Sequence, residues 1–241
     1  MTNGIDKLSG SSDSPDVANY KAIRVASQSW FKKIMRHPDA RRFDPVKAAK
    51  RVGISVQDGA VIFDEEADAA VLMDYLLIDY RPNGKSVVES CVFPADELTP
   101  LEMEWHEAVL TSRTSLFEVA GFHEHEPKIL LRDRLNKEAP DLWLIDLGLS
   151  KSFRQMGKCL IYTRVFSLRG LHMTGGFSFI FDPKSEFALT DGYRREMWSV
   201  SASLQERRRT AYFLGCDRKS GLAQAYADVV PPEPPNADPR R

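Results

Sequence analysis

Long apolar runs, paired cysteines and phosphate-binding glycine loops are all missing from this 241-residue chain. No apolar stretch approaches the ~18 residues a membrane helix needs, so no membrane span is expected. The three cysteines, Cys91, Cys159 and Cys216, are isolated and odd in number, which excludes a disulfide framework. The lack of C-x-x-C removes a zinc ribbon or thioredoxin-type pair, and the thiols fit a reducing compartment. Neither G-x-x-x-x-G-K-[ST] nor G-x-G-x-x-G occurs, and there is no G-x-S-x-G nucleophile elbow. No cofactor is therefore expected. The N-terminus has no apolar core of a secretory signal, which makes a cytoplasmic location the expectation.

Net charge of one sign is missing too: 33 Lys+Arg meet 34 Asp+Glu, a formal charge of −1. That balance hides two opposed stretches. Residues 21–51 carry ten Lys/Arg against Asp39 and Asp44, while residues 52–110 carry thirteen acids against Arg81 and Lys85. The basic stretch reads as helical, with Trp30, Phe31, Ile34 and Met35 forming an apolar stripe beside Lys32, Lys33 and Arg36. His37-Pro38 interrupts it, and Asp44-Pro45 caps a new short helix.

Further along, Ala67–Tyr80 has acids at its start and a wide apolar face, as a buried helix requires. Residues 86–92 form a short helix, and Thr99-Pro100 opens another running to about residue 112. Beyond residue 114 the period changes to short β-type runs at 115–122, 128–133, 142–147, 158–166 and 171–181. Trp143, Tyr162, Phe166, Phe177, Phe179 and Phe181 supply aromatic bulk for their core. Residues 187–226 return to a helical pattern. The expected fold is α+β: a helical N-terminal half (17–113), a small antiparallel β-barrel-like module (114–183) and a C-terminal helical segment (184–228). Disordered tails are expected to flank it, at 1–16 and, proline-rich, at 229–241.

Met73-Asp-Tyr-Leu-Leu-Ile-Asp-Tyr-Arg-Pro-Asn-Gly84, Leu98-Thr-Pro-Leu-Glu102, Ser115-Leu-Phe-Glu-Val119, Ile129-Leu-Leu-Arg-Asp133, Gly157-Lys-Cys-Leu-Ile-Tyr-Thr-Arg164 and Thr174-Gly-Gly176 follow in order. This series resembles the helix-then-β region of uncharacterised bacterial proteins that often carry a SEC-C motif. The resemblance spans residues 73–181 and implies organisation, not chemistry. The cysteine-rich SEC-C motif itself is absent, so its metal site is not implied.

Candidate chemistry is sparse. His123 and His125 stand at i and i+2 before Pro127, where an extended chain would turn both imidazoles to one metal. Completing such a site for a metal-assisted hydrolase takes His106, His172 or a carboxylate; a polar turn between strands is the simpler reading. Gly175-Gly176 reads as a bulge or tight turn. Cys91 and His106 form a pair only if folding joins them. Asp74 and Asp79, five apart, do not share an α-helix face, so they read as helix-edge carboxylates facing arginines rather than as a paired general acid and base.

The basic segment remains. Lys32, Lys33, Arg36, Arg41 and Arg42 suit an anionic partner, another protein first and nucleic acid through residues 21–51 second. The competing expectation is that the adjacent acidic stretch neutralises them. The function expected is a non-catalytic binding or adaptor module.

Overall fold

The computed structural model describes residues 13–94 and 96–221. The expectations for residues 1–12 and 222–241 lie outside those residues. Helix α1 (Pro15–Arg36) begins within the segment read as a tail, capped by Ser14 Oγ and opened by Pro15. It ends at His37, whose extended backbone precedes Pro38. Its inner face is Tyr20, Ile23, Trp30 and Ile34, while Phe31 and Met35 remain 37% and 42% exposed. The predicted four-residue stripe is thus split: half enters the core and half faces solvent.

Asp44 caps α2 (Pro45–Val52), accepting from the amides of Val46 and Lys47, and Gly53 closes it in the left-handed region. A two-stranded ladder, β1 (Val56–Gln57) and β2 (Ala60–Val61), turns at Asp58-Gly59. Helix α3 (Ala67–Asp74) runs directly into a π-helical turn, Tyr75–Asp79, closed by Tyr80 N–H donating to Tyr75 O at 2.8 Å. Then come α4 (Val87–Ser90) and α5 (Pro100–Leu110), each opened by a reciprocal capping box, Ser86 with Glu89 and Thr99 with Glu102.

Five strands follow: β3 (Arg113–Phe122), β4 (Lys128–Asp133), β5 (Leu142–Ile145), β6 (Leu160–Leu168) and β7 (Leu171–Phe181). Helix α6 (Leu147–Met156), which the sequence reading did not anticipate, separates β5 from β6 and is capped by Asp146. The strand order is β3-β4-β5-β7-β6, and β6 also pairs with β3. The β3–β6 pairing closes the five strands on themselves, and the all-antiparallel order expected of the β-barrel-like module is corrected to a mixed one. β7 lies parallel to β5 through the pair Leu144↔His172, while the other pairings are antiparallel. The parallel contact is possible because β5 reaches β7 through α6 and β6, a connection long enough to reverse the chain twice.

Both faces of β6 are buried, which explains why it reads as a near-continuous apolar run. Alternation sorts its residues: Leu160, Tyr162 and Phe166 join the core under the helices, and Ile161 and Val165 join a smaller core with Phe117, Leu131, Leu144 and Phe153 of α6. The aromatic bulk of β7 also faces the helices rather than the smaller core, and Trp143 is exposed instead of buried. Each fully buried Ile, Leu or Phe stabilises the fold by about 1.5–3 kcal/mol.

Helices α7 (Glu186–Met197) and α8 (Ala202–Ser220) complete the chain. Phe213 of α8 stacks on Tyr162 at 4.3 Å between ring centroids, tying the C-terminal helix to the sheet.

Candidate functional site

Arg164 interrupts the apolar run of β6, and a buried cation demands partners. It finds two. Its Nε lies 2.9 Å from Asp74 Oδ2 and 3.1 Å from Asp74 Oδ1, and its Nη2 lies 2.6 Å from Asp79 Oδ2. The expectation that Asp74 and Asp79 cannot share a face is overturned by the π-turn: an i→i+5 bond sets residues five apart above one another. Burial pushes the Asp74 carboxyl up to about 6 against the pull of Arg164, with Asp79 adding to the rise. Asp79 is also raised, again by burial first and opposed by Arg164. Thr210 Oγ1 contacts Asp79 and Tyr162 Oη, carrying the polar contacts to α8.

The two glycines sit over this cluster. Opposite Arg164 the register of β6 and β7 shifts between Thr163↔Ser178 and Val165↔Thr174, so the expected bulge is present. A Cβ on Gly175 would lie 3.0 Å from Phe166 Cε2 and 3.4 Å from Asp74 Oδ1. A side chain there would require the Phe166 ring to give by a few tenths of an ångström.

Beside the bulge an apolar groove opens between α1 and α3. It comprises two adjoining hollows of about 340 and 190 Å³ that share Trp30, Phe31, Trp105, Phe166 and Gly176. Asp74 borders the smaller hollow, and Arg24 and Lys32 border the larger. Trp30 is fixed by donating from Nε1 to His106 Nδ1 at 3.1 Å, and Trp105 packs on Phe166 at 4.8 Å. Burial lowers the His106 pKa, keeping the imidazole an acceptor for that bond.

The basic and acidic stretches pack on each other through α1 and α5 but share little charge. Among the described residues one ion pair joins them, Lys33 Nζ to Glu102 Oε2 at 2.7 Å. Glu102 is held down at about 2: burial pushes it up, and hydrogen bonds from Lys33, Ser29 and Thr99 outweigh that push. The other acids that find cations find them elsewhere: Asp68 on Arg218, Asp74 and Asp79 on Arg164, Glu89 on Arg81, and Glu104 on Arg169. The expectation that the acidic stretch neutralises residues 21–51 is therefore corrected. Arg42 pairs locally with Asp39 at 2.8 Å. Lys32, Arg36 and Arg41 are exposed and have no acidic partner within ion-pair distance among the described residues.

The histidines go separate ways. His123 Nδ1 accepts from the amides of His125 and Glu126 and so closes the β3–β4 turn, while His125 is exposed beside Glu124. His172 bonds Ser167 at 2.8 Å, and His106 bonds Trp30 rather than Cys91. Among the described residues no group of three or more His, Cys, Asp or Glu is placed to hold a metal. Cys91 and Cys159 are buried, and burial pushes their thiols up to about 11 and about 12. No helix of the described residues is long and apolar enough to cross a membrane.

The sequence reading missed Arg164 as the hub of the cluster, although one cation inside Leu-Ile-Tyr-Thr-Arg-Val-Phe was the available signal. No curated protein and no solved structure is matched by the chain. Residues 14–227 match the model of a family of unknown function, DUF7986. That span takes in every element described above, and the chain belongs to the family of unknown function DUF7986.

Proposed function

We propose that this chain is a non-catalytic binding module that captures an acidic protein segment along α1. The observation that carries the reading is the unpaired state of Lys32, Arg36 and Arg41, whose sequence neighbours of opposite sign are engaged by arginines from β6, the β6–β7 turn and α8. Phe31 and Met35 are half-exposed on α1 next to Lys32 and Arg36, and Arg41 follows in the short turn Ala40–Arg42 after the helix. A segment with acids at one edge and apolar residues at helical spacing matches both features. The titratable groups that resemble catalytic pairs serve other bonds: Asp74 and Asp79 grip a guanidinium, and His123 closes a turn.

A labelled amphipathic peptide alternating Glu with Leu and Phe at helical spacing tests this, beside a duplex DNA of matched charge. Peptide binding that is lost in Lys32→Glu/Arg36→Glu/Arg41→Glu supports the reading. Binding of the DNA alone, falling steeply with salt, would replace the protein partner by nucleic acid.

A further inference from the structure

A separate cavity of about 490 Å³ lies where β3 and the end of β4 meet the α7–α8 turn. Arg113 and Asp133 come from the strands, Tyr193 and Arg194 from α7, Trp198 from the turn and Arg209 from α8. Asp133 is saturated. It accepts from Arg113, from Ser115 Oγ at 2.6 Å, and from the amides of Leu135 and Asn136 at 3.0 and 2.9 Å. Arg113 and Asp133 thus close on each other and leave no net charge.

Arg209 is different. It is half-buried, and its hydrogen-bond partners are neutral: Nε donates to Tyr193 Oη at 3.1 Å and Nη1 to the carbonyl of Thr114, while the charges of Asp79 and Glu206 reach it only through space. Its Nη2 has no acceptor, and Arg194 has no acidic partner, among the described residues. Glu206 is the other acid of the lining; it is exposed and acts on Arg209 from beyond ion-pair distance. Two guanidiniums therefore face one solvated carboxylate, an imbalance that favours an anion.

Beside them Trp198 is 89% exposed, a large apolar ring left in water. Its turn is not loose, because Gln205 Nε2 donates to both Met197 O at 3.1 Å and Val200 O at 2.8 Å. The ring is held at the mouth of a cavity whose volume suits a small ligand.

We infer that this cavity binds a small organic anion that joins a phosphate or carboxylate to a flat ring. The anionic group is taken by Arg194 and Arg209, where guanidinium forks match either oxyanion. The ring lies on Trp198 and removes its face from water.

Calorimetric titration of the full chain with AMP, phenyl phosphate, benzoate and inorganic phosphate tests the assignment, with tryptophan emission followed in parallel. One-to-one binding of a ring-bearing anion is expected, about tenfold or more tighter than inorganic phosphate. Phenyl phosphate against benzoate then separates phosphate from carboxylate. Arg194→Ala and Arg209→Gln should each weaken binding about tenfold, and Trp198→Phe should abolish the emission change. Arg194 and Trp198 are exposed, so their variants keep the fold even if Arg209→Gln does not. No saturable binding, inorganic phosphate binding as tightly as phenyl phosphate, or affinity unchanged in both Arg194→Ala and Trp198→Phe would overturn the site.

Discussion

Asp79 reaches the same guanidinium as Asp74 although five residues separate them. Arg164 Nη2 stands 2.6 Å from Asp79 Oδ2 while its Nε stands 2.9 Å from Asp74 Oδ2. An α-helical turn would point the two carboxylates apart; the π-turn stacks them. The result is a buried cluster with two acids and one base, joining the α3 segment to β6.

Removing the base strands both acids. Arg164→Met should destabilise the chain by about 3–5 kcal/mol, because an uncompensated buried charge costs more than the pair contributes. Replacing Asp74 and Asp79 by Asn in that background should recover part of the loss. Urea unfolding midpoints of the single and triple variants check this, and a single variant as stable as the parent would contradict it.

The same cluster sets a pH dependence. The folded chain holds the Asp74 proton more tightly than the unfolded chain does, with a pKa of about 6 against 3.8. Stability from this group is therefore fully present below 3.8 and is lost as pH rises to about 6, then is flat. The stability advantage of the parent over Asp74→Asn should shrink across that window. Groups common to both chains, such as Asp217, which burial also raises to about 6, cancel in the difference.

Gly175 and Gly176 should differ sharply. Gly175→Ala places its Cβ against the Phe166 ring and should cost about 1–3 kcal/mol through overpacking. Gly176→Ala meets only Ala70 Cβ at 4.0 Å and should change stability by less than about 0.5 kcal/mol. Thermal unfolding of the two variants provides the comparison.

Adjacent lysines on α1 make a similar contrast. Lys33→Met leaves the buried Glu102 carboxylate without its cation and should cost about 1–3 kcal/mol. Lys32→Met, exposed and unpaired, should stay within about 0.5 kcal/mol. The depressed pKa of Glu102 adds a sign: its stabilisation is present above 4.5 and lost as pH falls toward 2. Lys33→Met should flatten that acid limb in urea midpoints measured from pH 2 to 5.

Much of the local structure was legible because its causes are local. Asp44-Pro45 and Thr99-Pro100-Leu101-Glu102 carry their own caps, so the starts of α2 and α5 could be read directly. The strand runs were visible from their residue types. Helix α6 was not, since it fits between two strands with a cap, Asp146, that resembles any acidic loop residue. The candidate site was legible only in pieces: the glycine bulge was expected, but the groove beneath α1 and the arginine cavity depend on residues far apart in the chain.

The α+β composition, the helix caps and the segregation of charge into a basic stretch followed by an acidic one all follow from residue order. Which charges meet does not. Ion pairing depends on distance in space, and β6 and α8 bring Arg164 and Arg218 to the acids before the basic stretch can reach them. Strand order is likewise non-local: β7 lies beside β5 because a helix and a strand intervene, which turns the expected antiparallel arrangement into a mixed sheet.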